Sequence, residues 1–342
     1  MNIGVLTGGG DSPAINGAIR SVVRRAHHGG HTVFGFEQGW RGVVEDLGRP
    51  IGEKDVSGIL PRGGTMLGTS RTNPLKMEKG LEKLKATLKH RRIDGLITIG
   101  GDDTNGVARQ LCEMAIVRCV GIPQTIDNDI PGTEFSIGYD SALNIVTEAL
   151  DRLHTTATSH HRVLVCEVMG RDAGWLALLG GLAGGADEIL IPEVPSNLDE
   201  ICQRLRQRTE RGKPFSIVAV AEGAKVEGLE TPISQDSSVD AFGHVKYGGI
   251  GTYVASEIER RTGFESRTTV LGHLQRGGVP SAFDRVLATM FGVRAVELLE
   301  SGASGVMVVW QASEIRAVPF QEALYKTRLC PDQFIKLAEL FR

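Results

Sequence analysis

At 342 residues the chain is longer than one typical domain and long enough for two α/β domains. With 41% apolar residues, and 38 Lys plus Arg against 41 Asp plus Glu for a formal net charge of −3, it has no general attraction for nucleic acid or an anionic membrane. Any basic site is therefore local. The 44 glycines follow no collagen period and fill no low-complexity tract; they cluster in short polar turns after apolar runs, where a ligand can approach backbone. Cys112, Cys119, Cys166, Cys202 and Cys330 are odd in number and lack a CxxC spacing, which points to neither a zinc site nor a disulfide framework. MNIGVLTGGG has no basic segment followed by a long apolar core, and no apolar run reaches about 18 residues, so a soluble, cytoplasmic chain is expected.

In chain order, a predicted strand over Asn2–Thr7 runs into Gly8-Gly9-Gly10-Asp11-Ser12-Pro13, which opens a helix over Ile15–His28 carrying Arg20, Arg24 and Arg25. Glycine lets backbone N–H groups approach an anion and a helix N-terminus adds partial positive charge. The turn reads either as a phosphate cradle or as a tight strand-to-helix connection; it is neither a Walker loop nor GxGxxG. A strand at Thr32–Phe36 and an amphipathic helix at Glu78–His90 follow. The apolar strand Gly95–Ile99 then ends at Gly100-Gly101-Asp102-Asp103-Thr104. Open α/β sheets bind ligands at the carboxyl ends of their strands, and two adjacent carboxylates there can hold Mg²⁺ directly or through water. Equally, Asp103 or Thr104 can accept backbone bonds as a helix N-cap.

The strand Arg118–Ile122 leads to Pro123-Gln124-Thr125-Ile126-Asp127-Asn128-Asp129. This is either an Asx-rich turn or a pair of carboxylates, Asp127 and Asp129, of which one can reach a sugar hydroxyl and the other a metal. One such turn is ordinary. Three in register at strand ends combine phosphate, metal and carboxylate chemistry, the ingredients of phosphoryl transfer.

Leu143, Val146, Leu150 and Leu153 recur at helical spacing and predict a helix over Ser141–Thr155. A strand at Arg162–Val168 precedes Met169-Gly170-Arg171-Asp172-Ala173-Gly174-Trp175. Beyond it come strands Glu188–Ile191 and Ser216–Ala221, with a helix Leu198–Arg211 between them. Gly223–Gly251, with Pro232 and Gln235-Asp236-Ser237-Ser238, reads as an inserted loop region. The strand Thr268–Leu271 lies within Arg267-Thr268-Thr269-Val270-Leu271-Gly272-His273-Leu274-Gln275-Arg276-Gly277-Gly278. Arg162, Arg171, Arg267, His273 and Arg276 are candidate phosphate partners, since Arg meets phosphate oxygens bidentately; singly, each also fits a surface salt bridge or a structural hydrogen bond. The alternation of strands and helices, several strands being almost wholly apolar, predicts parallel, doubly wound sheets. Two lobes with a boundary near Gly138 are expected, and no internal repeat is visible.

These five motifs, in this order, resemble those of the phosphofructokinase family, and the similarity runs from Ile3 to about Gly292. The resemblance implies an α/β fold of two Rossmann-like lobes with mostly parallel sheets and the active site in the cleft between them. Residues 1–138 with about 276–326 would hold the phosphoryl donor and Mg²⁺, and 139–275 with about 327–342 would hold fructose 6-phosphate. The implied reaction is glycolytic phosphoryl transfer to the 1-hydroxyl of fructose 6-phosphate, giving fructose 1,6-bisphosphate.

By the same resemblance Asp127 is the general base, Asp129 its companion and Asp102 a Mg²⁺ contact. Gly9, with Gly10 beside it, offers an N–H to the transferring phosphoryl, and Arg71 and Arg171 stabilise its charge. Thr125, Met169, Gly170, Glu222, His273 and Arg276 match sugar-phosphate contacts. Arg162 and Arg267 match arginines that the family supplies from a neighbouring subunit, which implies a homodimer or homotetramer. The donor turns on Asp103, since the family commonly has glycine there in ATP users and aspartate in pyrophosphate users; pyrophosphate is favoured, with ATP second. Gln124 stands where pyrophosphate users usually carry lysine, and can donate to a phosphate without adding charge. Asp172 replaces the usual histidine, tyrosine or asparagine, and His154 an effector-site arginine of allosteric members. The inserted region resembles the branch that mixes ATP and pyrophosphate enzymes. A catalytically silent sugar-phosphate binder is the alternative of another class, against which the intact acids argue. A nicotinamide oxidoreductase would need the missing GxGxxG.

Overall fold

The computed structural model describes residues 1–229, 234–239 and 245–341. Its strands are β1 (Asn2–Thr7), β2 (Thr32–Phe36), β3 (Gly48–Pro50), β4 (Gly95–Gly100), β5 (Arg118–Pro123), β6 (Val163–Val168), β7 (Glu188–Leu190), β8 (Ser216–Ala221), β9 (Ser234–Val239), β10 (Val245–Tyr247), β11 (Ser266–Val270), β12 (Val306–Gln311) and β13 (Glu314–Pro319). The helices are α1 (Ile15–His28), α2 (Trp40–Glu45), α3 (Gly80–His90), α4 (Asp102–Glu113), α5 (Tyr139–His160), α6 (Trp175–Ala183), α7 (Leu198–Glu210), α8 (Ile250–Thr262), α9 (Ala282–Glu300), α10 (Phe320–Ala323) and α11 (Asp332–Glu339). Among the described residues, two compact units form: 1–141 with 276–326, and 142–275 with 327–341.

The first unit is built on a seven-stranded sheet in the order β13-β12-β5-β4-β1-β2-β3, parallel through its centre and antiparallel at both edges. Every residue of β4 is buried, as expected when both sheet faces are covered. Alternation along the strands sends Ile3, Val5, Ile97 and Ile99 to one face, against α1 and α9, while Leu6 and Leu96 meet α2, α3 and α4 on the other. α1 and α9 approach so closely that a Cβ on Gly292 would lie 1.9 Å from the Ser21 hydroxyl.

The second unit has a four-stranded, all-parallel sheet in the order β11-β6-β8-β7. Within β6 the buried Glu167 accepts the N–H groups of Gly249 and Gly251, at 3.2 and 2.7 Å, and so satisfies the start of α8. Parallel, doubly wound architecture is thus as the sequence predicts. The region read as an inserted loop instead contains the antiparallel pair β9–β10; Pro232 lies outside the described residues. β12 and β13 were not expected. A short apolar run such as Val306–Trp310 has no periodicity that separates strand from helix, and its pairing with β5 at Val306↔Val120 and with β13 along its length makes it a strand. Among the described residues no helix is long and apolar enough to cross a membrane.

Candidate active site

Three turns of the first unit meet at the carboxyl edge of β1, β4 and β5. The Gly8 N–H donates to the Ile99 carbonyl at 3.0 Å, and the Gln124 N–H to the Gly100 carbonyl at 3.0 Å. The reason for glycine here is close approach: a Cβ on Gly8 or on Gly100 would lie 2.6 Å from side-chain atoms of Thr104. Gly9 has φ +83°, and a Cβ on Gly10 would lie 1.8 Å from the Arg276 guanidinium. The helix begins at Ile15, as predicted, with Ala14 as N-cap, and Asp11–Pro13 lie between the glycine turn and that cap. A loop covers the turn. Gly9 N–H reaches the Ser70 carbonyl at 3.5 Å, Thr69 Oγ1 donates to the Gly9 carbonyl at 2.7 Å, and exposed Arg71 follows directly.

Asp102 and Asp103 occupy the first turn of α4, where acidic side chains suit the helix dipole. The N-cap is Gly101, so neither Asp103 nor Thr104 is the cap. The Asp102 carboxylate is exposed and Asp103 half-buried. Oxygen donors of this kind fit Mg²⁺, which is held by one or two carboxylates with water and substrate phosphates rather than by a protein cage. Among the described residues, no cluster of three or more His, Cys, Asp or Glu forms such a cage.

Thr125, Asp127 and Asp129 are half-buried, while Ile126, Asn128 and Ile130 between them are buried. Asn128 produces this alternation. At φ +53° it turns the chain, its side chain donates to the Glu134 carbonyl at 3.1 Å, and its Oδ1 accepts from the Ser136 N–H at 3.0 Å. Ser136 Oγ in turn donates to the Thr125 carbonyl at 2.7 Å. Gln124 is only 1% exposed and donates from Nε2 to the Gly10 carbonyl at 3.1 Å. Here the amide ties two turns together.

In the second unit, Met169–Arg171 and Glu222 follow the adjacent parallel strands β6 and β8. The Gly223 N–H donates to the Gly170 carbonyl at 3.2 Å, and a Cβ on Gly223 would lie 1.8 Å from the Arg171 carbonyl. Gly170 has φ +129°, a conformation that favours glycine. Buried Gln275 holds the neighbouring segment, accepting the Met169 N–H at 3.2 Å, and His273 beside it is exposed. Arg171 Nε donates to Asp172 at 2.8 Å. Met169, Gly170, Arg171, Glu222 and His273 therefore share one sheet edge.

Arg162 and Arg267 do not join them. They stand at the amino ends of β6 and β11, paired through Leu164↔Arg267, and both hold Glu265, at 2.8 Å from Arg162 and 2.5 Å from Arg267. Arg162, with Arg267 behind it, keeps the Glu265 carboxyl below its ordinary range. Six residues of strand, about 20 Å at ~3.3 Å each, separate the two ends of β6.

Sequence reasoning missed the residues that hold these turns. Buried Asn105 donates to the Gly100 carbonyl at 2.7 Å and accepts from Thr98 Oγ1 at 2.7 Å. Asn16 accepts the Met66 N–H at 2.7 Å and donates to the Arg62 carbonyl at 3.1 Å, fixing the loop that leads to Arg71. The usable signal is a buried amide in the first turns of a helix that follows a glycine turn.

A family profile described as Phosphofructokinase matches residues 2–299. The chain is 52% identical, over 100% of its length and 99% of the relative's, to the pyrophosphate–fructose 6-phosphate 1-phosphotransferase of Amycolatopsis mediterranei. It is 47% identical, over 97% of its length and 96% of the relative's, to the ATP-dependent 6-phosphofructokinase of Corynebacterium efficiens. Among solved structures, phosphofructokinase from Saccharomyces cerevisiae is similar at a TM-score of 0.83 and 31% identity over 99% of this chain, which spans 46% of that longer one.

Proposed function

The chain belongs to the phosphofructokinase family, and we propose that it transfers a phosphoryl group from pyrophosphate, with Mg²⁺, to the 1-hydroxyl of fructose 6-phosphate. The product is fructose 1,6-bisphosphate. One observation carries this reading: adjacent parallel strands β4 and β5, in register at Gly100↔Pro123, deliver Asp102–Asp103 and Asp127–Asp129 to the same sheet edge. Phosphoryl transfer asks for positioning and charge neutralisation with little covalent chemistry, and this edge offers both beside a glycine turn.

In this reading Asp127 accepts the proton of the 1-hydroxyl as the oxygen attacks, and Asp129 orients the acceptor. Asp102 would hold Mg²⁺, which when bound neutralises phosphate charge. Gly9 and Gly10 border the donor, and Arg71 and Arg171 balance the charge on the transferring group. Thr125, Met169, Gly170, Glu222, His273 and Arg276 bind the sugar phosphate. The test is formation of fructose 1,6-bisphosphate by the purified protein with Mg²⁺ and either pyrophosphate or ATP. Binding of fructose 6-phosphate without turnover on any donor would favour the silent homologue.

Asp172 has a specific effect here. Its carboxylate pairs with Arg171 while both are partly exposed, and such pairs contribute about 0.2–1 kcal/mol. Asp172→Asn releases the guanidinium toward phosphate. The expected result is a rise in kcat/KM of up to about fivefold, measured in the same assay.

Arg162 and Arg267 are assigned to the 6-phosphate bound by a neighbouring copy, because they stand at the strand ends opposite Met169 and His273. A homodimer or homotetramer follows. Diluting the enzyme to monomer is expected to raise KM for fructose 6-phosphate, followed by sedimentation and assay on the same samples. A fully active monomer would exclude the assignment.

A further inference from the structure

Cys112 lies in the last turn of α4 and is partly accessible, while buried Cys119 is the second residue of β5. Both sulfurs face the same carbonyl, Val117 O, at 3.6 and 3.7 Å. Ser304 Oγ donates to the Cys112 sulfur at 3.4 Å and accepts the Cys119 N–H at 3.3 Å, which keeps the two residues on one hydroxyl. The phosphoryl-transfer chemistry uses neither thiol.

We propose that Cys112 and Cys119 are an oxidisable pair that closes to an intramolecular disulfide between α4 and β5 under peroxide. The surroundings divide the labour between the two sulfurs. Hydrogen bonding, first from the Cys119 thiol and then from Ser304, pulls the Cys112 thiol down to about 6, whereas the same bond and burial push Cys119 up. Cys112 is the nucleophile near neutral pH and Cys119 supplies the resolving thiol. Burial moves the other three the opposite way: Cys166 rises to about 12, and Cys202 and Cys330 also rise.

The step balances with a peroxide as oxidant. The Cys112 thiolate attacks hydrogen peroxide, the O–O bond breaks, and a sulfenic acid and hydroxide form. The Cys119 sulfur then displaces the sulfenic oxygen, the S–S bond forms, and the thiol proton leaves with that oxygen as water. Two thiols are oxidised, and one peroxide is reduced to two waters. The bridge would fasten the helix that starts at Asp102 to the strand that leads to Asp127.

The test treats the full-length enzyme with limiting hydrogen peroxide, alkylates it, and maps peptides by mass spectrometry. The expected result is loss of two of the five free thiols, a Cys112–Cys119 linked peptide, and its disappearance on treatment with dithiothreitol. Cys112→Ser should slow thiol loss about tenfold or more. In Cys119→Ser, oxidation should stop at a dimedone-trappable Cys112 sulfenic acid. The wild-type map stands even if either variant folds poorly. Five alkylated thiols after peroxide, first oxidation at another cysteine, or Cys112 sulfinic acid without the linked peptide would each overturn the proposal.

Discussion

Asp127→Asn is expected to lower kcat by about 10²–10⁴ while leaving KM for fructose 6-phosphate nearly unchanged, because it removes the proton acceptor and keeps the shape. The structure makes this a clean substitution. The backbone around Asp127 is set by its neighbours: its own N–H donates to Thr125 Oγ1 at 3.1 Å, and buried Asn128 ties the next turn to Ser136 and Glu134. These bonds are kept in Asp127→Asn, so the amide should preserve the course of the chain. Steady-state kinetics over fructose 6-phosphate concentration, with thermal unfolding as a control on folding, give the measurement. Activity within about twofold of wild type would dismiss Asp127 as the base, since base catalysis is worth far more. A large rise in KM at unchanged kcat would instead make it a binding group.

The donor carries the second large effect. Wild type is expected to turn over with pyrophosphate and only weakly with ATP, and Asp103→Gly to lower KM for ATP. The N-terminus of α4 is the kind of place that attracts phosphate, but its first turn already holds two carboxylates of the chain itself, Asp102 and Asp103. A third negative group at about 4 Å from Asp103 meets a repulsion of about 4 kcal/mol at an effective dielectric of 20. That is about a thousandfold in affinity. By the family resemblance this penalty falls on the α-phosphate of ATP, while pyrophosphate ends short of it. Full ATP efficiency need not follow in Asp103→Gly, since removing a repulsion does not build an adenosine pocket. The measurement is kcat/KM for both donors in both proteins. A wild type that strongly prefers ATP, with that preference unchanged in Asp103→Gly, would refute the role given to Asp103. The relatives named for each donor, at 52% and 47% identity, make the comparison informative in either direction.

The oxidation chemistry proposed for Cys112 was invisible in the sequence for a simple reason. Cysteine counting and spacing look for CxxC pairs and even totals, whereas these two sulfurs are separated by the end of a helix and the start of a strand and are brought together by the Val117 carbonyl and Ser304. Ser304 comes from far along the chain, and nothing local connects it to Cys112.

By itself, the sequence determined the parallel α/β architecture, the family, and which turns carry acids and glycines. Those features are local: an apolar run of β-branched residues followed by glycine and aspartate specifies a buried strand with a polar turn at its carboxyl end, whatever else the chain does. Tertiary structure alone decided which way those turns face and what holds them. The bond from the Gln124 amide to the Gly10 carbonyl, which ties two of these turns together, had no local signal. Asn128 looked like one more turn residue until its bonds to Glu134 and Ser136 were seen to set Asp127 and Asp129 on the accessible side. Arg162 and Arg267, far apart in the chain, met at Glu265 only because β6 and β11 pair in parallel. Hydrogen bonds between residues distant in sequence depend on strand pairing and helix docking, which no local pattern encodes.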